Sequence, residues 1–283
     1  VQEVRTKYPN VVVITSFRTT YQDDLFYENY FSESEYSNIS FLHGFNQLTK
    51  DAIDAYFSHY KIELKNPSGQ ADIFDHPLYL RLYCEVVNPK ILKKVSVERI
   101  SRSDIFKVFE EYISQANTRI MEGLNKMSRY NKLYSKRKIN DLAQKIWESN
   151  SRHINYAEFE AFIEREELEF FEGEDLLLFR DMDNGVETLS FSYDLMAGYI
   201  VAHSLISDLS TKEVVSLLAD KTIVNKLFGA NRHDLSDDIL RCMIILLLKD
   251  HDILLCDHIE NERAKTYCLN AIFEIEKEQK HTA

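Results

Sequence analysis

The densest group of potential metal ligands lies in HDILLCDH (251–258), which contains His251, Cys256 and His258. Imidazole and thiolate are the ligands that zinc prefers in proteins. Cys256 and His258 are only two positions apart, however, so on a helix they point to different faces. The carboxylates of EREELEFFEGED (164–175) are typical of a solvated helix surface and turn. Neither segment therefore predicts a metal site.

Sequence motifs that carry catalysis are missing from the chain. It contains no GxxxxGK[ST] phosphate loop, no GxSxG, no HExxH and no GxGxxG. Nothing in it alone therefore predicts a nucleotide cradle, an activated serine or a zinc hydrolase. No segment supplies a recognisable acid/base pair or activated nucleophile. We expect no catalytic residues in this chain and no hydrolysis of ATP by the chain alone.

The composition describes an acidic and mostly helical protein. Among 283 residues there are only 7 glycines and 4 prolines, so turn formers are rare. The formal net charge of −12 argues against a general nucleic-acid binder, which needs a basic face. The 4 cysteines show no CxxC spacing and predict free thiols in a reducing compartment. With CMIILLL (242–248) too short to span a bilayer, we expect a cytoplasmic protein without a membrane partner.

The N-terminal segment predicts a single strand of an α/β domain. NVVVITSFR (10–18) contains four consecutive β-branched apolar residues without polar alternation, which is typical of a strand buried on both faces. Such a strand needs neighbours, yet no second strand follows at the spacing of a βαβ unit. Because the chain also begins at Val1, we interpret residues 1–40 as the remnant of an α/β core whose other strands are missing.

A helical domain is predicted over residues 41–125. Apolar residues recur at helical spacing in LTKDAIDAYFSHYKI (48–62) and SRSDIFKVFEEYISQANTRI (101–120). Between them, DHPLYLRLYCEVV (75–87) offers Asp75 as an N-cap and Pro77 in the first turn, where the missing N–H of proline costs nothing.

A winged-helix domain is predicted over residues 126–206. Two helices, at 139–149 and 155–166, precede LLLFR and ETLSFSY, two strand-like runs joined by the turn DMDNG. The apolar segment LSFSYDLMAGYIVAHSL (189–205) then leaves the hairpin as a helix.

The remaining residues, 207–283, predict a helical bundle or the start of helical repeats. Helices are expected near 211–219, 235–249, 252–259 and 263–280. The predicted fold class is therefore mainly α, with a helical domain, a winged-helix domain, the start of a helical array and one remnant α/β strand.

Three segments, in this order, resemble the nucleotide-oligomerisation module of the STAND NTPases, the class that includes NACHT proteins. NVVVITSFR resembles the strand after Walker B, DHPLYLRLYC (75–84) resembles part of the first helical domain, and FSYDLMAGYIVAHSL (191–205) resembles the winged-helix motif. The resemblance covers about residues 8–206 and rests on order and spacing, because each segment is a short apolar pattern. Walker A and Walker B have no counterpart in the chain.

The resemblance implies three nucleotide-binding residues and no metal ligand. Arg18 corresponds to the sensor arginine that reaches the γ-phosphate, with Phe17 inserted relative to the commonest spacing. Pro77 corresponds to the proline that packs on adenine, although Asp75 replaces the family's glycine. Tyr193 occupies the position of the histidine that binds the β-phosphate of ADP. A phenol can donate one hydrogen bond to phosphate but lacks the charge of an imidazolium.

Each of these three residues also has a structural explanation. An arginine at the end of a strand often lies on the surface or in an ion pair. A proline in the first turn of a helix needs no ligand to explain it. A tyrosine at the start of an apolar helix is often a core residue with a satisfied hydroxyl.

The resemblance implies the regulatory part of a STAND/NACHT-type signalling ATPase. ATP or ADP with Mg would be the cofactor of the intact protein, the fragment alone would hold none, and the missing N-terminal ATPase core would be its partner. Exchange of ADP for ATP would drive a two-state switch, in bacteria as part of antiphage defence by analogy of fold. The alternative is a non-enzymatic helical and winged-helix module that binds protein partners or itself. DNA binding is disfavoured, because the expected recognition helix NYAEFEAFIERE (155–166) is acidic.

Overall fold

The structure is a computed structural model that describes most of the chain from residue 44 onwards. The described residues are 7, 44–45, 48–65, 74, 76–98, 100, 104–127, 131, 133–174, 178–183, 185–259 and 261–269. The chain divides into two compact units, residues 1–43 and 44–283, and all described residues except Lys7 belong to the second unit. The predicted strand at 10–18 and Arg18 lie outside the described residues.

Helices dominate the described residues, which confirms the predicted mainly α class. The helices are α1 (Thr49–His59), α2 (Pro77–Val87), α3 (Asp104–Met127), α4 (Tyr134–Ser149), α5 (Tyr156–Glu160), α6 (Arg165–Glu172), α7 (Asp194–Ile206), α8 (Thr211–Leu218), α9 (Lys221–Phe228) and α10 (Ser236–Leu246). The strands are β1 (Ile62–Leu64), β2 (Val95–Val97), β3 (His153–Asn155), β4 (Leu178–Asp183) and β5 (Val186–Phe191). Among the helices described here, none is both long and apolar enough to cross a membrane.

Helices α1 to α3 pack around a shared aromatic core. Phe57 of α1 contacts Phe74 and Tyr83, with ring centroids 5.7 and 6.0 Å away. Pro77 lies in the first turn of α2, as predicted, but the N-cap is His76 and not the predicted Asp75. The sequence did not predict that β1 and β2 pair in parallel, with Ile62 opposite Val95. That pairing joins chain segments more than thirty residues apart, so no local sequence pattern predicts it.

The segment from α4 to β5 has the topology of a winged helix. Its strands form an antiparallel sheet in the order β3–β5–β4, with Ile154 opposite Leu189 and Leu178 opposite Phe191. The predicted hairpin is confirmed, and Gly185 occupies the turn with a φ of 80°. A positive φ is readily available only to glycine, which explains the turn signal in the sequence.

The single helix predicted over 155–166 is wrong, because the structure has two short helices there. The side chain of Asn155 caps α5 by accepting a hydrogen bond from the Ala157 N–H at 3.0 Å. The chain then turns, and α6 begins after Glu164 with a capping box formed by Glu164 and Glu167. Glu164 and Glu167, which were predicted to lie at or beyond the end of one helix, therefore form the start of a second helix.

The C-terminal segment packs on α7 through α10. A Cβ built on Gly198 would lie 2.6 Å from the carbonyl carbon of Asp238, so the two helices touch at backbone distance. The prediction of a helix over 252–259 is wrong, because Asp252 has a φ of 56° and only Leu255–Asp257 form a short 3-10 turn. Helix α9 was not predicted, and residues 262–269 are helical within the range expected for the last helix.

The C-terminal end of α4 is bound by Lys226 of α9 and by His233 of the loop between α9 and α10. His233 is 1% exposed; its Nε2 donates to the Ile146 carbonyl at 2.9 Å, while Nδ1 accepts from the Leu235 N–H at 3.0 Å. The Lys226 ammonium donates to the Trp147 carbonyl and, at 3.2 Å, to that of Glu148. These donors satisfy carbonyls that the last turn of a helix leaves unpaired, so the loop ties the C-terminal segment to the winged helix.

Acid is expected to destabilise the fold through His233. Burial is the main cause that lowers the pKa of His233, and the nearby Lys226 acts in the same direction, against Asp234 and the Ile146 carbonyl. Below the ordinary histidine pKa of about 6.5, the unfolded chain therefore binds a proton that the folded chain excludes. Stability is complete above that pH and is lost as the pH falls towards the folded-state pKa.

Urea unfolding between pH 7.5 and 5.5 measures this effect. We expect His233→Gln to flatten the pH dependence of the free energy of unfolding; His258→Gln, which replaces an exposed histidine, is the control. His203, whose pKa burial also lowers, leaves a residual slope in either variant. If the free energy of unfolding depends on pH equally in the wild type and in His233→Gln, His233 does not cause the loss of stability in acid.

Candidate functional site

The structure brings the segments that contain Pro77 and Tyr193 into contact. His76, the residue before Pro77, stacks on the ring of Tyr193 with centroids 4.5 Å apart and an interplanar angle of 26°. The two residues are separated by more than a hundred positions in sequence. Two of the three positions that the resemblance implies are therefore neighbours in space, while Arg18 lies outside the described residues.

The stacked pair also marks the beginnings of two helices. His76 is the N-cap of α2 (φ −91°, ψ 119°), and Tyr193 is the N-cap of α7 (φ −135°, ψ 120°). Neither N-cap side chain accepts a hydrogen bond from its own helix. The N-terminus of a helix carries a partial positive charge and favours an anion. Two such ends beside one ring stack make this location more favourable for an anion than either end alone.

Asp194 partly offsets the positive end of α7. It lies in the first turn and forms an ion pair with Arg152 at 3.4 Å. The pair is half exposed, so it contributes little to stability. Its consequence is electrostatic: Arg152 neutralises a carboxylate that would otherwise repel an anion near Tyr193.

Tyr193 is held from behind by a buried aromatic cluster centred on Phe109. Phe109 is fully buried and meets Tyr193 edge to face, with centroids 5.8 Å apart and an angle of 76°. Tyr79 and Tyr199 contact the same ring at 6.4 and 6.0 Å. Tyr193 is thus half-buried in packing that fixes its ring, whereas His76, which stacks on it, is exposed. The structural explanation accounts for the contact of Tyr193 with Phe109, and His76 is the member of the stack that a ligand can reach.

Sequence reasoning missed His76. The signal available was a titratable side chain directly before Pro77 in DHPLYLRLYC, at a position where a helix begins. Local patterns could place His76 at the N-terminus of α2. They could not identify Tyr193 as its partner, because that contact depends on how α7 packs against α2 and α3.

Helix α6 follows α5 at the place of the recognition helix in a nucleic-acid-binding winged helix, and one of its faces packs against α3. A Cβ on Gly123 of α3 would lie 2.3 Å from the ring of Phe170, so α3 and α6 are in close contact. Nε and Nη2 of Arg119, on α3, donate to the two carboxylate oxygens of Glu174 at 2.8 and 2.7 Å. Phe171 and Leu168 of α6 are buried. Together with the acidic sequence of α6, this packing disfavours a role in reading DNA.

Metal ligands and reactive thiols do not cluster in the described part of the chain. Within it, no group of three or more His, Cys, Asp or Glu side chains could hold a metal ion. The predicted free thiols are confirmed: Cys84, Cys242 and Cys268 are buried, and Cys256 is half-buried. Burial raises the pKa of the Cys84 thiol to about 12, so it stays protonated and unreactive.

The chain was compared with known protein families, proteins and structures. No protein-family model, no curated protein and no solved structure matches it.

Proposed function

We propose that this chain is the regulatory part of a cytoplasmic STAND/NACHT-type signalling ATPase whose activity is switched by ATP and ADP. The observation that carries the proposal is the stack of His76 on Tyr193. It joins two segments, each of which resembles a nucleotide-contacting segment of that class. The partners in this proposal are the ATPase core and protein partners or further copies of the protein.

In this proposal the nucleotide phosphate lies beside the stacked rings. His76 supplies the imidazole that Tyr193 cannot, and the N-termini of α2 and α7 favour the negative charge. By the resemblance, Pro77 would pack on the base, and Arg18 corresponds to the sensor arginine of the γ-phosphate. The ligands of magnesium belong to the ATPase core, and this chain contributes binding and orientation.

The strength of the ring contact suits a switch. An aromatic pair contributes about 0.5–1.5 kcal/mol beyond its buried area. A nucleotide that binds the closed arrangement about tenfold more tightly than the open one supplies about 1.4 kcal/mol, which is enough to decide whether the stack forms. ADP would thus favour the stacked arrangement of His76 and Tyr193, and ATP the unstacked one.

The coding sequence and an ATPase assay test the proposal. We expect the reading frame upstream of Val1 to encode Walker A and Walker B within about 150 residues, the size of one domain. The protein that contains both parts should hydrolyse ATP, while the purified chain 1–283 should not. An authentic start codon at or just before Val1, or ATP turnover by the chain alone, would contradict the proposal.

A further inference from the structure

A cleft separate from the His76–Tyr193 stack lies between α3, α4 and α7. Its volume is about 790 Å³, within the range of small-molecule sites. Ile113, Met121, Ile139 and Ile200 provide apolar surface along it. Because the three helices come from the helical segment and the winged helix, a ligand in this cleft would contact both.

Four side chains that can donate hydrogen bonds line the cleft in two matched pairs. Lys136 and Asn140 are one turn apart on α4, and Tyr199 and His203 are one turn apart on α7. Residues four apart on a helix share a face, so each pair points into the same space. Within the described part of the chain, none of the four side chains has a hydrogen-bond or ion-pair partner.

His203 is a neutral hydrogen-bond donor near Lys136. Burial and then the Lys136 ammonium lower the pKa of His203, so its ring is neutral near pH 7 and keeps one N–H. The ring of Tyr199 lies 5.9 Å from that of His203. One ammonium and three neutral donors therefore line the same cleft, and such a set of groups suits an oxyanion.

The opposite wall offers an unsatisfied acceptor. Oδ1 of Asn117, on α3, is shielded from solvent and has no hydrogen-bond partner among the described residues. Buried polar atoms in folded proteins nearly always have a partner, and a turn of the Asn117 side chain towards the cleft would let this oxygen accept from a ligand N–H.

Nearby carboxylates restrict the charge of the ligand. Glu110, Glu111 and Glu122 line the exposed rim, and Glu110, after burial, raises the pKa of Tyr199. A field that opposes negative charge at Tyr199 disfavours a phosphate dianion more than a singly charged carboxylate.

We propose that this cleft binds a small carboxylic acid that carries an N–H group and an apolar side chain, as an N-acyl amino acid does. The carboxylate would accept hydrogen bonds from Lys136, Asn140, Tyr199 and His203. The N–H would donate to Asn117 Oδ1, and the side chain would pack on Ile113 and Met121. The site is independent of the nucleotide proposal.

Calorimetric titration with three matched compounds tests this assignment. The probe is N-acetyl-L-leucine; N-acetyl-L-leucinamide lacks the carboxylate, and 4-methylpentanoic acid lacks the N–H. Hydrogen bonds to a charged group support a loss of about tenfold or more in affinity for the amide. A smaller loss is expected for 4-methylpentanoic acid, because the N–H to Asn117 bond involves no charge.

Variants assign each contact. Lys136→Met should reduce the preference for the acid over the amide, and Asn117→Leu should abolish the preference for N-acetyl-L-leucine over 4-methylpentanoic acid. Lys212→Met, which removes an exposed lysine of α8 outside the cleft, should bind like the wild type. Urea unfolding verifies that each variant is folded. Absence of N-acetyl-L-leucine binding, equal affinity for the amide, or equal losses in Lys136→Met and Lys212→Met would overturn the proposal.

Discussion

Replacement of Phe109 with alanine is expected to lower the free energy of unfolding by about 3–5 kcal/mol. Phe109 is fully buried and its ring contacts Tyr79, Tyr193 and Tyr199. The helices that carry these rings begin at distant positions in the chain, so the cavity left by alanine cannot collapse by a local adjustment. The cost of burying less apolar surface and the cost of the unfilled cavity therefore both lower the free energy of unfolding.

Urea unfolding of Phe109→Ala beside two further variants measures the effect. Phe109→Leu fills most of the volume and should cost much less. Leu92→Ala removes an apolar side chain that is 74% exposed and should change stability by less than about 0.5 kcal/mol. A cost for Phe109→Ala close to that of Leu92→Ala would show that the aromatic cluster does not hold α7 against α2 and α3.

The second large effect is expected for Gly198→Ala, which should destabilise the protein by about 1–3 kcal/mol. Glycine within a helix ordinarily costs about 1 kcal/mol relative to alanine, so the substitution would stabilise an isolated helix. Here the added Cβ would lie 2.6 Å from the Asp238 carbonyl carbon and 2.8 Å from its oxygen. Backbone atoms of α10 cannot rotate away, so the two helices must separate.

Gly173→Ala provides the matched control. Gly173 has an ordinary helical φ of −62°, and the nearest atom to an added Cβ is the Glu169 carbonyl oxygen at 3.3 Å. We expect its stability to change by less than about 0.5 kcal/mol. Thermal and urea unfolding of the two variants in parallel separate helix propensity from interhelical contact. A stabilised Gly198→Ala would contradict the close packing of α7 on α10.

The parts of the fold that were predicted are those that local chemistry specifies. The turn before β5 was recognisable because its geometry needs glycine at position 185, and Pro77 because proline suits a first helical turn. The break between α5 and α6 was missed because it depends on Asn155 capping one helix and Glu164 starting another. Glutamate is a good helix former and is common on helix surfaces, so Glu164 alone gave no boundary.

The candidate site also has a part that the sequence could predict and a part that it could not. The resemblance directed attention to Pro77 and Tyr193, and the structure adds His76, which stacks on Tyr193. Neither the periodicity nor the composition of the sequence predicts the contact between His76 and Tyr193, because it forms where the start of α2 meets the start of α7. The donors of the cleft were invisible for the same reason: Lys136 and His203 lie on helices whose approach only the tertiary structure fixes.

The rate at which ADP leaves the intact protein tests the central claim most directly. A fluorescent ADP analogue, chased with unlabelled ADP, reports the rate for the wild type, His76→Ala, Tyr193→Phe and the control His59→Ala, whose histidine is exposed at the end of α1. A lost hydrogen bond to a charged phosphate predicts release from His76→Ala at least about tenfold faster than from the wild type, with His59→Ala unchanged. Tyr193→Phe, which deletes only the hydroxyl, should show a smaller increase. Wild-type release rates in both His76→Ala and Tyr193→Phe would contradict the claim that this ring stack binds nucleotide.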